Sequence, residues 1–236
     1  MCEYAQALPP HPMYMSLRVG TPNDPLRLAV MISGSGSGMR ALLEHTKKSK
    51  TCCHNTVIVL SDRLDAKGLS IAEDYGIFSL GIPLPKGNHD PISRRLIHEE
   101  SIQSRLIENN VEAIILSGYM RLLTPNFVSK WEGKILNIHP SLLPKFPGAH
   151  AHQDVLSSQE TESGCTVHFV DSGMDTGVII EQSIVPVFPD DTVKSLQKRV
   201  KIVEHKLYPK VIDDFSKGKV RLKNGEIISL QDRVDN

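Results

Sequence analysis

The chain has 236 residues, 40% hydrophobic and 23% charged, ordinary values for a globular protein with one large α/β domain or two small ones. Lys+Arg and Asp+Glu both number 27, so no overall basic field draws in nucleic acid or an anionic membrane, and anion recognition must be local. The expected partners are small molecules, and the expected state is a monomer or weak homodimer.

Residues 1–25 show no period and are punctuated by Pro9, Pro10, Pro12, Pro22 and Pro25. They are expected to be a flexible extension. Arg18 is their only strong base, set against Glu3 and Asp24, a poor composition for a transit peptide. No apolar run approaches the roughly 18 residues of a membrane span. Cys2, Cys52, Cys53 and Cys165 form no C-x-x-C pair, which fits a reducing cytoplasm and offers no ordinary structural zinc half-site.

From residue 26 onward short apolar runs alternate with helix-like segments. Strands are expected over 28–32, 57–60, 78–82, 113–116 and 135–138, with helices over 39–48, 66–75, 91–109 and 125–131 between them. Continuous apolar strands separated by helices imply a parallel sheet covered on both faces. In the 91–109 helix, Ile92, Leu96, Ile102, Leu106 and Ile107 form the expected buried arc. Two further β segments, 165–170 and 178–187, flank the turn-rich loop 171–177 and predict an antiparallel extension. A last helix should start near Asp191, capped by its carboxylate, and stop at Pro209, with Val193, Leu196, Val200, Val203 and Leu207 on one stripe. One domain over 26–236 is the economical count.

Several residue groups carry chemistry. Ser33-Gly34-Ser35-Gly36-Ser37-Gly38 follows the first strand and precedes its helix, where backbone N–H groups converge on a phosphate; a tight turn is the plainer reading. The spacing is neither a Walker loop nor a dinucleotide fingerprint, although Asp62 at the end of the second strand could hold a ribose. Asn137 and His139 sit two residues apart at a strand end, so an amide donor and a proton carrier share one face. His150 and His152 form an H-x-H without a clear third ligand, and no metal is expected. Asp175 is a solvated turn former unless it approaches His139, in which case it would orient the imidazole and favour its protonated form. Glu204, at the margin of the last apolar stripe, either reaches water or meets a cationic amine.

Four blocks in order, Asn137-Ile138-His139-Pro140-Ser141-Leu142-Leu143-Pro144-Lys145-Phe146-Pro147-Gly148, Val167-His168-Phe169-Val170 with Asp175, Gly118-Tyr119-Met120-Arg121-Leu122-Leu123, and Glu204-His205-Lys206-Leu207-Tyr208-Pro209, resemble the folate-dependent phosphoribosylglycinamide formyltransferases of purine synthesis. The resemblance runs from about residue 27 to 223. It implies the formyltransferase fold: a Rossmann-like nucleotide- and phosphate-binding half, 26–125, and a β-extended folate-binding and catalytic half, 126–236. It further implies Asn137, His139 and Asp175 as the catalytic trio. Gly36, Ser37 and Gly38 would hold phosphate and Glu204 the amine of glycinamide ribonucleotide. Met120, Arg121, Leu122, Leu123, Val170, Asp171 and Asp175 would line the pterin pocket, with His150 and His152 on a mobile loop. The co-substrate implied is 10-formyltetrahydrofolate, whose formyl carbon the amine attacks directly.

Two departures stand out. The family usually carries Asn where this chain has Gly38, and often an arginine toward the folate where this chain has His89-Asp90. Hydrolysis of the formyl cofactor, formyl transfer to another amine, and a non-catalytic sugar-phosphate binding module are the alternatives.

Overall fold

The computed structural model describes residues 16–87 and 90–229. Nine strands and six helices alternate through these residues as β1 (Leu26–Ile32), α1 (Ser37–Lys48), β2 (His54–Ser61), α2 (Lys67–Asp74), β3 (Phe78–Gly81), α3 (Pro91–Glu108), β4 (Ala113–Leu116), α4 (Pro125–Lys130), β5 (Ile135–His139), α5 (Ala151–Ser157), β6 (Glu162–Phe169), β7 (Ile179–Pro186), α6 (Val193–Ser216), β8 (Arg221–Lys223) and β9 (Glu226–Ile228). Strands one to seven form one sheet in the order β3-β2-β1-β4-β5-β6-β7. The pairs from β3 through β5 are parallel. The pairs β5–β6 and β6–β7 are antiparallel.

The expected architecture is therefore the observed one: a mostly parallel sheet, covered on both faces, with an antiparallel extension. Its cause lies in β1, where Leu28, Val30 and Ile32 face one apolar cluster while Ala29 and Met31 face another. All five are fully buried. Burying each larger side chain stabilises the fold by roughly 1.5–3 kcal/mol, and the run from Leu28 to Ile32 carries no polar residue, unlike the exposed Arg27 before it.

Several elements differ from expectation. α6 runs through Pro209 to Ser216. A mid-helix proline costs about 3 kcal/mol, but Val211, Ile212 and Phe215 beyond it are buried and outweigh that cost. The cap of α6 is Thr192, whose side chain accepts from the Ser195 amide, while Asp191 instead accepts from Ser195 Oγ and Arg199. Val193, expected on the buried stripe, is exposed. In α3, Ile92 and Ile107 are exposed and the buried face carries His98 and Glu99 beside Ile102 and Leu106. His98 Nε2 pairs with the Tyr119 hydroxyl, and the Glu99 carboxylate accepts from Thr124. α5 and the β8–β9 hairpin were not anticipated.

Of the expected 1–25 extension, residues 1–15 lie outside the described residues, while Arg18 and Gly20 are bonded to the domain. The Arg18 guanidinium forks onto the Glu112 carboxylate at 2.6 and 2.9 Å, and the Gly20 amide donates to Ser216 O at 2.9 Å. Among the described residues no helix is long and apolar enough to cross a membrane.

Candidate active site

The sheet order reverses between β1 and β4, and a crevice opens beyond the carboxyl ends of such strands. Two loops meet there. The Ser33 amide donates to Gly118 O at 3.1 Å and the Met120 amide to Ser33 Oγ at 2.8 Å, so the loop after β1 is fastened to the loop after β4. Gly36 stands at the start of α1 with φ 67°, and a Cβ there would lie 2.7 Å from Gly68 Cα. Glycine is thus required by both conformation and space.

A cavity of about 530 Å³ lies over this loop, lined among others by Gly36, Ser37, Gly38, Asp62, Lys201 and Glu204. Asp62 accepts from Arg121 Nε at 2.7 Å. Burial raises the Glu204 carboxyl to about 7, with nearby Lys201 lowering it in part. His152, at the first turn of the unanticipated α5, lines the same cavity, and burial lowers its imidazole. His150 precedes that helix and is not among the lining residues.

A second cavity of about 220 Å³ shares Gly118, Met120, Arg121, Ile138 and Pro140 with the first. Leu122, Leu123, Val170, Asp171 and Asp175 line it, as do Asn137 and His139. The catalytic, phosphate, amine and pterin residues implied by the resemblance thus all line one of two adjoining cavities, whereas His150 lines neither.

Asn137, His139 and Asp175 come together. His139, on the last residue of β5, faces the Asp175 carboxylate through Nδ1 at 3.2 Å and donates from Nε2 to Phe146 O at 2.9 Å. Both ring nitrogens face oxygens that only accept, an arrangement satisfied by the imidazolium. Asp175 holds φ 56°, which an Asp tolerates, and its Oδ2 also accepts from the Gly148 amide at 2.8 Å. The turn after β5 is fixed from beneath, because Thr166 and Gln182 on β6 and β7 bond to Ser141, Leu143 and each other.

His168, quoted within a motif but given no role from the sequence, pairs with Asn137 across the β5–β6 ladder. Burial lowers its imidazole, so the neutral ring donates from Nδ1 to Phe169 O at 2.8 Å and accepts from Asn137 Nδ2 at 3.1 Å. The amide of Asn137 is thereby oriented, with a second N–H left for the cavity. Only the strand register brings the two together; a single sequence gives no signal for it.

A family model described as formyl transferase matches residues 26–212. The chain belongs to the formyl transferase family. Phosphoribosylglycinamide formyltransferase of Escherichia coli (strain K12) is 38% identical over 199 residues, covering 84% of this chain and 90% of that protein. Among solved structures, the glycinamide ribonucleotide transformylase 1 of Symbiobacterium toebii superposes with TM-score 0.79 at 36% identity, covering 87% of this chain and 94% of the other. The trifunctional purine biosynthetic protein adenosine-3 of Chironomus tentans is 47% identical over 199 residues, of which this formyl transferase spans 84% of its own length but only 14% of the relative's. The same limited span, 19% of the relative, holds for the Bos taurus protein of that name.

Proposed function

We infer that this formyl transferase moves the formyl group of 10-formyltetrahydrofolate to the amine of glycinamide ribonucleotide, a step of purine synthesis in the cytoplasm. The observation that carries the reading is the convergence of Asn137, His139 and Asp175 beside the seam of two cavities. The larger cavity suits a ribose phosphate whose anion rests on the α1 N-terminus, and the smaller, more apolar one suits a pterin.

The amine, held beside Glu204, attacks the formyl carbon and an oxyanion forms. Asn137 donates its free N–H to that oxygen, and the imidazolium of His139 adds positive charge beside it. The ammonium so created loses its proton as folate N10 gains one and leaves. Asp175 and the Nδ1 edge of His139 are the groups placed to carry that proton. No covalent intermediate with the protein is needed. Next to the pterin cavity, a space of about 310 Å³ lined by Arg94, Arg95 and Arg121 offers cations for the anionic end of folate. These stand in for the arginine the family often has near position 89, a residue outside the described ones. The assay is direct: consumption of the formyl cofactor should require glycinamide ribonucleotide. Loss without it would indicate a hydrolase, and binding without turnover a sugar-phosphate module.

The absence of Asn at position 38 has a local counterpart. A Cβ on Gly38 would lie 2.7 Å from Ser117 Oγ, so the Ser117 hydroxyl occupies the space an Asn stem would need. In this reading Ser117 replaces the lost donor to the phosphate. Ser117→Ala should raise KM for the ribonucleotide about tenfold with kcat unchanged, the low end for a hydrogen bond to a charged group. An unaltered KM would remove Ser117 from the phosphate site.

Glu204 predicts a trade between stability and binding. Its carboxyl is raised from 4.5 to about 7 by burial, so the folded state holds the proton more tightly than the unfolded chain. The stability this group contributes is full below about 4.5, is lost as pH rises to about 7, and stays lost above. Glu204→Gln should therefore be more stable than the parent at pH ~8, by on the order of 1–3 kcal/mol, and equal to it near pH ~4. Its KM for the ribonucleotide should rise about tenfold or more, because the amine loses its anionic partner. Denaturant unfolding at the two pH values checks the first part, and a variant no more stable at the higher pH would refute the buried-carboxyl account.

A further inference from the structure

At the opposite end of the sheet from these cavities, three elements bring a thiol, two imidazoles and a carboxylate together. His54 is the first residue of β2 and Cys52 stands two residues before it, with His45 in the last turn of α1 and Asp213 on α6. Asp213 Oδ1 lies 3.0 Å from His54 Nε2 and 3.7 Å from Cys52 Sγ, and its Oδ2 lies 2.8 Å from His45 Nε2. One donor atom each from Cys52, His54 and Asp213 fall within 4.8 Å of one another. We propose that Cys52, His54 and Asp213 form a binding site for a divalent transition cation of the zinc class, with His45 positioning the carboxylate.

An ion pair alone explains less of this arrangement. Two histidines on one aspartate would pin α6 to β2, but a thiol adds little to such a pair. His54 is fully buried at its side chain, and its Nδ1 has no hydrogen-bond partner, so the ring is held by this cluster and not from its far side. Donors bound to one tetrahedral ion at about 2.0–2.3 Å lie about 3.3–3.6 Å apart, and the carboxylate's spacings of 3.0 and 3.7 Å bracket that range. The donor chemistry selects the ion. Thiolate and imidazole suit a borderline-soft metal, whereas calcium and magnesium require a shell of oxygens that is not assembled here.

Charge also closes. On binding, the cation displaces the proton of the Cys52 thiol to solvent while the His54 ring proton shifts from Nε2 to Nδ1, so a neutral imidazole, a thiolate and a carboxylate balance a doubly charged ion in a buried place. His45, on the second carboxylate oxygen, is the kind of outer partner that orients a ligating group. A solvent molecule from the half-exposed Cys52 side completes four-coordination.

The test uses the full chain, stripped with a chelator and titrated with cobalt(II) alone. The expected result is one ion per chain, a thiolate-to-cobalt charge-transfer band, and displacement of cobalt by zinc(II). Cys52→Ser should abolish the band and Cys53→Ser, the adjacent thiol outside the cluster, should keep it. His45→Gln should retain the band while weakening affinity by about 10–100-fold. The proposal is overturned if the wild-type chain takes up no stoichiometric cobalt, if the bound ion shows no thiolate band, or if the band survives Cys52→Ser. The wild-type titration decides the matter even if a variant misfolds.

Discussion

Asn137→Ala should lower kcat by on the order of 10²–10³ while the fold and the KM values change little, the loss seen when one donor to a developing oxyanion is removed. The size follows from where the charge appears. The formyl oxygen is neutral in the bound cofactor and anionic in the tetrahedral intermediate, so the donor counts most in the transition state and its loss falls on kcat. Asn137 is prepared for this task by its neighbour. One N–H of its amide is spent on His168 Nε2 at 3.1 Å, which fixes the direction of the other. Stability should be nearly unaffected, because the side chain lies at a cavity wall and, among the described residues, hydrogen-bonds that histidine alone. Steady-state kinetics with both substrates and a thermal unfolding scan check the two halves. A folded variant with near-parental turnover would remove Asn137 from the chemistry.

Asp175→Asn should lower kcat by about 10²–10⁴, the range for a positioned proton carrier. Asparagine is the informative replacement because it tolerates the positive φ of 56° as aspartate does, so the loop is kept and only the charge is removed. Without the carboxylate, His139 loses the anion 3.2 Å from Nδ1 that orients its ring. In the proposed reaction the proton leaving the amine also loses an acceptor. Removing an ionisable proton acceptor should alter the shape of the kcat–pH profile, whereas a purely structural defect would lower kcat evenly across pH. An even loss would assign Asp175 to loop geometry alone.

Much of this was legible in the residues. β1 and β4 were readable because each is buried on both faces and so appears as an unbroken apolar run, as in Leu28 to Ile32, whereas the edge strand β3 is only partly buried. Asn137 and His139 were readable as a pair because strand alternation places residues two apart on one side. The meeting of Asp175 with His139, 36 positions away in the chain, followed only from the family resemblance. His168 escaped because its role depends on strand register, and the burial of His98 and Glu99 escaped because periodicity counts apolar residues alone. Pro209 misled for a physical reason: local helix cost is smaller than the burial of the three large side chains that follow it. The β8–β9 hairpin was signalled by Asn224-Gly225, both at positive φ in the structure, and went unread. α5, seven residues with two buried side chains, gives too little pattern to read.

The central claim is that an amine from the larger cavity meets a formyl carbon from the smaller one beside Asn137. A crystal structure of the chain with glycinamide ribonucleotide and a non-transferable formylfolate analogue tests it directly. The account predicts the phosphate on the Gly36–Gly38 loop, the amine beside Glu204, and the formyl oxygen about 2.7–3.1 Å from Asn137 Nδ2. A folate seated in the larger cavity, or a formyl group turned away from Asn137 and His139, would contradict it.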